Sequence, residues 1–211
     1  MRYGHLIWDW NGTLLDDAWL SVEVMCQLRL SRGLPPLDGQ QYQEFFGFPL
    51  QDYCVRLGFA PGDFAALSAE FSQLYEARRL ECHLQPGAAQ VLEAVARAGL
   101  AQAVLSAYQQ SLLTPIVVHY GLQQHFGAVA GLENAYAEGK AARGQHLLEE
   151  LGWAPDQVLL VGDTDHDHEV AQALGVACVL LTSGHQHPRR LQQCGVPLVQ
   201  RLEEVLELLD L

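Results

Sequence analysis

Six short apolar runs, separated by segments with helical periodicity, most constrain the fold of this 211-residue chain. The runs are rich in valine and leucine and do not alternate with polar residues, which is typical of parallel strands covered on both faces. Helical segments between them supply the crossovers that parallel strands require. The pattern predicts an α/β fold, a doubly wound parallel sheet with a Rossmann-like core. The predicted strands span residues 5–9, 102–107, 127–132, 157–163, 176–182 and 197–199.

Residues 16–82 interrupt this alternation, because they show helical periodicity and no convincing strand. The helical patterns lie at residues 20–28, 50–58 and 64–81. We therefore expect a helical cap domain of residues 16–82 inserted after the first strand of the core. The core domain would comprise residues 1–15 and 83–211, with the sheet resuming near His83.

Acidic side chains dominate the charge of the chain. Aspartate and glutamate outnumber lysine and arginine 25 to 12, which gives a formal net charge of −13. Nucleic acids and anionic membranes are bound chiefly through basic patches, so neither is expected as a main partner. The composition is otherwise that of an ordinary globular protein.

The cysteines favour a reducing compartment. They are odd in number and widely spaced, with no Cys-x-x-Cys pair, so neither a disulfide framework nor a zinc site is indicated. The first ten residues enter a strand pattern at once, which leaves no room for a signal peptide. No run approaches the ~18 apolar residues that a membrane helix needs. We expect a cytoplasmic protein with free thiols at Cys26, Cys54, Cys82, Cys178 and Cys194.

Polar residues stand at the sheet edge where open α/β folds bind ligands. Asp9, Ser106 and Asp163 each end a predicted strand, and Lys140 stands at the mouth of a helix. Taken singly, each has an ordinary explanation as a helix cap, a turn former or a solvated lysine. Their coincidence at one edge, in sequence order, indicates a functional site.

Phosphoryl transfer is the chemistry that these residues suggest together. Asp9 would be a nucleophile that forms an aspartyl-phosphate, a known role of carboxylates. Asp163 would join Asp9 in holding Mg²⁺, which prefers hard oxygen ligands. Ser106, Thr13 and Lys140 would give hydrogen bonds and positive charge to the phosphoryl oxygens.

Four motifs, with a helical insert after the first, resemble those of the haloacid dehalogenase superfamily. They are "DWNGTLLDD" (9–17), "VLSA" (104–107), "GK" (139–140) and "GDTDHD" (162–167). The phosphoglycolate-phosphatase-like branch, which has a small helical cap, is the most similar. The resemblance implies a Mg²⁺-dependent phosphatase of small phosphorylated metabolites.

The resemblance also assigns roles to single residues. It makes Asp9 the nucleophile and a metal ligand, with the Asn11 backbone carbonyl and Asp163 as further ligands. Asp167 would lie at or just behind the metal, and Asp16 would belong to a hinge of the cap. The implied phosphate-binding residues are Gly12, Thr13, Ser106, Ala107 and Lys140.

Two positions depart from the family pattern. The lysine motif, Gly139 to Ala142, lacks the prolines common in this branch. Asn11 stands where the family's phosphatases usually have a second aspartate, which is the general acid and base. An amide cannot transfer a proton, so a contribution of typically 10²- to 10⁴-fold would be missing unless another group supplies it.

Several explanations of Asn11 remain open. Asp165, His166 or Asp17 could supply the proton, or the substrate could have a leaving group that needs little acid. The phosphorylated enzyme could also be hydrolysed slowly, or Asn11 could be an introduced substitution that traps it. As a purely structural alternative, an Asn-Gly pair favours a turn whatever the charge of its side chain.

Two other function classes compete with the phosphatase. A phosphate-binding or phospho-accepting regulatory module would share the aspartate, serine and lysine pattern, but receiver domains lack a helical insert of ~65 residues after the first strand. Carbon–halogen cleavage needs no metal, so Asp163 argues against it. Carbon–phosphorus cleavage in this superfamily uses a lysine of the cap, and residues 16–82 contain none.

The sequence does not identify the substrate or the oligomeric state. Substrate contacts are expected in the cap, and the aromatic segment 45–53 is an equal candidate for cap core and for substrate contact. Surface exposure is the favoured interpretation of the cap cations Arg29, Arg32, Arg56, Arg78 and Arg79. For the stretch from His185 to Arg190, we favour the start of a helix over contact with the site.

Overall fold

The structure is a computed structural model that describes residues 3–133 and 139–211, and it has the predicted α/β architecture. Its strands are β1 (His5–Trp8), β2 (Leu15–Asp16), β3 (His83–Leu84), β4 (Ala101–Gln109), β5 (Ala128–Leu132), β6 (Val158–Gly162), β7 (Ala177–Leu181) and β8 (Leu198–Val199). Its α-helices are α1 (Ala18–Ser31), α2 (Gly39–Phe45), α3 (Leu50–Arg56), α4 (Phe64–Arg78), α5 (Ala88–Arg97), α6 (Gln110–His119), α7 (Lys140–Leu151), α8 (Asp165–Leu174), α9 (Pro188–Leu191) and α10 (Glu204–Leu208).

The main sheet has six parallel strands in the order β5-β4-β1-β6-β7-β8. The chain builds outward from β1 through β4 to β5, and then crosses back to place β6 on the other side of β1. The strand order therefore reverses between β1 and β6. Ligands of open α/β sheets bind beside the carboxyl ends of strands at such a switch point.

The buried core lies on both faces of the sheet. Successive strand residues point to opposite faces, so Trp8 packs into the larger cluster shared with the helical insert, and Ile7 packs into the opposite one. Both side chains are fully buried. The Trp8 indole N–H donates to Gln102 Oε1 (3.0 Å), which satisfies a polar group in the core. This packing fixes the end of β1, where Asp9 follows.

All six predicted core strands are present, but the sheet does not resume near His83. Residues His83–Leu84 instead form β3, which pairs antiparallel with β2 in a separate ladder, and the main sheet resumes at Ala101. Two residues on each side are too few for a periodic pattern, so this pairing has no signature in the sequence. The ladder joins the two ends of the inserted segment.

Between β2 and β3 the chain contains α1 to α4 and short 3₁₀ turns. This arrangement supports a division into a core of residues 1–15 and 83–211 and a cap of residues 16–82, which we retain as a proposal. Residues 1–2 and 134–138 of that core lie outside the described residues. Among the described helices, none combines the length and the apolar character needed to cross a membrane.

Candidate active site

Lys140 and three buried carboxylates meet at the switch point of the sheet. Lys140 is the only lysine of the sequence and begins α7. Its Nζ donates to Asp9 Oδ1 (2.5 Å) and to Asp167 Oδ1 (2.6 Å). Oxygen atoms of Asp9, Asp163 and Asp167 lie within 4.8 Å of one another. The structure thus brings together the first, third and fourth motifs.

Burial and mutual repulsion perturb the ionisation of this cluster. Burial raises the pKa of Asp163 to about 8 and that of Asp9 to about 6, although Lys140 opposes the change at Asp9. Burial also disfavours the charged forms of Lys140 and Asp167. Their mutual attraction outweighs it, so the pKa of Lys140 lies above its ordinary value and that of Asp167 below. Three carboxylates share one lysine in this cluster, so a bound cation would stabilise their ionised forms further.

Asp167 positions the lysine from the start of α8. Its Oδ2 accepts hydrogen bonds from the Thr164 hydroxyl (2.6 Å) and the Thr164 backbone N–H (3.0 Å), in a reciprocal capping box. Its Oδ1 accepts from Lys140. Both oxygens of Asp167 therefore have donors, so this carboxylate holds Lys140 in place, and its position at or just behind a metal stays a prediction.

Asn11 belongs to a polar network that connects the first motif, residues 9–17, to the cap. Its Nδ2 donates to Asp17 Oδ2 (2.8 Å) and to the hydroxyl of Tyr75 (3.0 Å), which lies in α4. Asp17 is almost fully buried and also accepts from the Tyr75 hydroxyl (2.7 Å) and the Gly12 N–H (2.8 Å). Position 11 therefore acts here as a hydrogen-bond donor to a carboxylate.

His185, in the turn after β7, completes this network. Its Nε2 donates to Asp17 Oδ1 (3.1 Å), its Nδ1 contacts the Tyr42 hydroxyl (2.8 Å), and its backbone N–H donates to Asp163 Oδ2 (2.7 Å). Burial would lower its pKa, but Asp17 and the neighbouring carboxylates raise it to about 9. His185 is therefore a second buried cation that compensates the acidic cluster.

The favoured interpretation of the stretch from His185 to Arg190 was wrong for its first residue. His187 does cap α9, where its ring accepts from the Arg189 N–H (3.2 Å). His185 instead lies in the site, because the turn after β7 folds back over Asp163. No sequence pattern distinguishes these two histidines, and none singles out Tyr42 or Tyr75 as a residue of the site.

The three substitutes considered for the missing acid have different surroundings. Asp165 pairs with Arg190 (2.7 Å) outside the cavity lining. His166 lines the cavity and stacks on Phe48, with ring centroids 4.3 Å apart. Asp17 is nearest to position 11, but the positive charge of His185 and the hydrogen bonds to the carboxylate hold the pKa of Asp17 below its ordinary value despite its burial. It is therefore ionised and cannot donate a proton at neutral pH.

The predicted phosphate-binding residues divide into two groups. Ser106, Ala107 and Lys140 line the cavity beside Asp9. The Gly12 N–H donates to Asp17, and the Thr13 hydroxyl donates to Asp163 Oδ1 (3.1 Å). These two residues position the carboxylates, and direct binding of phosphate by them stays a prediction.

A cavity of about 430 Å³ lies between the insert and the core and opens onto Asp9. Four side chains of the aromatic segment 45–53 line it, so this segment does face the site. The five arginines of the insert are absent from its described lining. The lining residues from segment 45–53 are Phe46, Phe48, Leu50 and Tyr53, followed by Cys54 just beyond it.

Gly12 provides a test of how tightly the loop after β1 packs against Asp163. A Cβ at Gly12 (φ +76°) would stand 2.2 Å from Asp163 Oδ2, whereas one at Gly99 (φ +79°) would meet nothing within 4 Å. Gly99→Ala should cost about 1 kcal/mol through the left-handed backbone alone. Gly12→Ala should cost a further ~1 to 3 kcal/mol through overpacking. Urea unfolding of both variants measures the difference, and equal losses would contradict the packing described.

The contact between Asn11 and Asp17 predicts strong coupling between the two positions. Asn11→Asp should lower the free energy of unfolding by about 1 to 3 kcal/mol, because it places two carboxyl groups in contact in a buried network. Adding Asp17→Asn should recover part of that loss by restoring an amide–carboxylate pair. A double-mutant cycle by urea unfolding in metal-free buffer should give a coupling above ~1 kcal/mol. Additive losses would show that the contact carries no energy.

Comparisons with known proteins agree with this geometry. The family model described as haloacid dehalogenase-like hydrolase matches residues 6–181. A phosphoglycolate phosphatase of Synechococcus elongatus is 25% identical over 179 residues, which are 85% of this chain and 84% of the relative. Tyrosine-protein kinase PtkA of Mycobacterium tuberculosis is 26% identical over 205 residues, which are 96% of this chain and 70% of the relative.

Solved structures share the fold at lower identity. The crystal structure of a predicted phosphatase from Clostridium acetobutylicum matches with a TM-score of 0.86 at 19% identity, over 100% of both chains. The matched residues, 6–181, run from β1 to β7 and contain all four motifs. The chain therefore belongs to the haloacid dehalogenase-like hydrolase family.

Proposed function

We propose that this chain is a Mg²⁺-dependent phosphatase of small phosphorylated metabolites that works through an aspartyl-phosphate on Asp9. The observation that carries the proposal is the placement of Lys140 between Asp9 and Asp167, with Asp163 beside them, under a cavity large enough for a small ligand. The phosphoglycolate phosphatase among the relatives supports the same reaction class.

Asp9 would act as the nucleophile. Its carboxylate is 9% exposed and stands at the mouth of the cavity, held on one oxygen by Lys140. Attack on phosphorus would break the bond to the leaving oxygen, and water would then hydrolyse the acyl-phosphate. Lys140 and the hydroxyl of Ser106, which both line the cavity, would stabilise charge on the phosphoryl oxygens.

Asn11 occupies the position of the usual acid/base aspartate and would contribute no proton. Its amide is committed to Asp17 and Tyr75, and it lines the cavity next to Asp9. The chain's own residues would orient the phosphoryl group and stabilise its charge, and His166, which lines the cavity, is the remaining substitute for a proton donor. Turnover would depend strongly on the leaving group.

The residues present fit a magnesium site. Oxygen atoms of the Asp9 and Asp163 carboxylates lie within 4.8 Å of each other, and hard oxygen ligands are those that Mg²⁺ prefers. Asp9, Asp163 and the Asn11 backbone carbonyl would hold the ion, with Asp167 behind them. The ion would supply positive charge to the phosphoryl oxygens. The substrate would be a small phosphorylated molecule, and a cytoplasmic location stays a prediction from the free thiols.

A slow or phospho-accepting module is the second candidate function. The amide at position 11 favours it, because an amide cannot activate water for hydrolysis of the acyl-phosphate. One relative bears the name of a tyrosine-protein kinase, so transfer to an acceptor other than water also falls within this candidate. Long-lived phosphorylation of Asp9 without release of phosphate would distinguish it from the phosphatase.

The phosphatase proposal predicts metal-dependent release of phosphate that requires Asp9. The purified chain should hydrolyse 4-nitrophenyl phosphate with Mg²⁺, lose the activity with a chelator and regain it when Mg²⁺ is restored. Asp9→Asn should lower kcat by at least about 10³-fold through loss of the nucleophile. Asp156→Asn, at an exposed aspartate far along the sequence, serves as the matched control. Full activity in Asp9→Asn, or none in the parent chain, would contradict the proposal.

A further inference from the structure

The cap side of the cavity is aromatic. Seven aromatic side chains of the insert line it, and several of their rings pack against one another, as in the edge-to-face pair of Phe46 and Tyr53 with centroids 5.3 Å apart. Such a wall favours a ligand that presents a flat apolar body to it. The seven are Tyr42, Phe46, Phe48, Tyr53, Phe64, Phe71 and Tyr75.

The cap, all of whose residues the structure describes, offers no cation to a second anionic group of a substrate. Arg32 pairs with Glu70, and Arg79 pairs with Glu76, which itself lines the cavity. The remaining three arginines of the insert, Arg29, Arg56 and Arg78, bind backbone carbonyls or glutamates elsewhere. A carboxylate beyond the phosphoryl group would be desolvated without a partner, at a high cost in binding.

The positive groups that do reach the cavity are already compensated. Lys140 donates to two carboxylates, and His185 pairs with Asp17. Both belong to the end of the cavity where the phosphoryl group would bind, so they cannot also neutralise a charge at the cap end. The portion of the substrate that lies against the cap should be neutral.

Asn11 points to the same class of substrate by a separate route. Because the amide at position 11 transfers no proton, leaving oxygens that depart without protonation should react fastest. Phenolic hydroxyls ionise near pKa ~10, whereas water ionises at ~15.7 and simple alcohols are similarly weak acids. An aryl oxide therefore leaves far more readily than an alkoxide.

We propose that the preferred substrates are phosphate monoesters of neutral phenols. This inference rests on the proposed function. Asp9 would form an O–P bond as the aryl O–P bond breaks, and the electron pair would leave with the aryl oxide. Water would then cleave the acyl-phosphate to give phosphate, the Asp9 carboxylate and one proton, which the aryl oxide takes up.

A panel of four phosphates under saturating Mg²⁺ tests the proposal. Phenyl phosphate should exceed 2-phosphoglycolate in kcat/KM by at least about 100-fold, because the latter carries an unpartnered carboxylate. Benzyl phosphate keeps the ring but leaves as an alkoxide, so its kcat should be at least ~10²-fold lower with a similar KM. Acetyl phosphate, which releases acetate as a good leaving group and has no ring, reports phosphoryl transfer to Asp9 and its hydrolysis without any contribution from ring binding.

The outcomes separate this inference from the proposed function. Turnover of acetyl phosphate or 2-phosphoglycolate without preference for phenyl phosphate would overturn the substrate class and leave the phosphatase standing. No turnover of any donor would overturn the proposed function, and the inference with it.

A variant of the aromatic wall provides the second measurement. Phe71→Leu should raise the KM for phenyl phosphate roughly 3- to 10-fold, a larger change than for acetyl phosphate, and an unchanged circular dichroism spectrum would show that the variant is folded. Phe45→Leu, at an exposed phenylalanine of the insert outside the described lining, is the matched control and should change neither. Equal changes for both donors in Phe71→Leu would contradict a ring-binding role.

Discussion

Compensation of buried negative charge is the constraint on which this structure depends. Asp9, Asp17, Asp163 and Asp167 are all almost fully buried at one edge of the sheet. Among the described side chains, two buried cations oppose them: Lys140 bridges Asp9 and Asp167, and His185 pairs with Asp17. Isolated buried charges are very costly, so the backbone must hold each of these groups close to its partner. The remaining deficit of positive charge falls at Asp9 and Asp163, where a divalent cation would be stabilised.

The same constraint gives Asn11 a definite place. Asp17 is an ionised carboxylate whose donors come from the loop, the insert and the turn after β7, and Asn11 is one of them. A carboxylate at position 11 would add a further negative charge to a network whose cations are already paired. The amide therefore joins the first motif to the insert. Because it cannot transfer a proton, it restricts the substrates that the site can process.

The local sequence pattern predicted which strands carry the site but not the contacts between residues distant in sequence. Strand ends are visible in the amino-acid sequence, so Asp9 and Asp163 could be assigned to one sheet edge from the sequence alone, whereas Ser106 lies within β4, which continues to Gln109. The β2–β3 ladder and the contacts of His185 could not be predicted, because they depend on how the insert and the turn after β7 fold back over the edge. The hydrogen bonds of Gly12 and Thr13 to Asp17 and Asp163 could not be predicted for the same reason.

A covalent intermediate on Asp9 is the central claim of this account. Its most direct test is acid quenching of the chain during turnover of a phosphate monoester, followed by peptide mapping by mass spectrometry. We predict one phosphoryl group on the peptide that contains Asp9, labile to base and hydroxylamine as an acyl-phosphate should be. A phosphoryl group on a histidine or serine, or rapid turnover with no covalent species at any quench time, would contradict it.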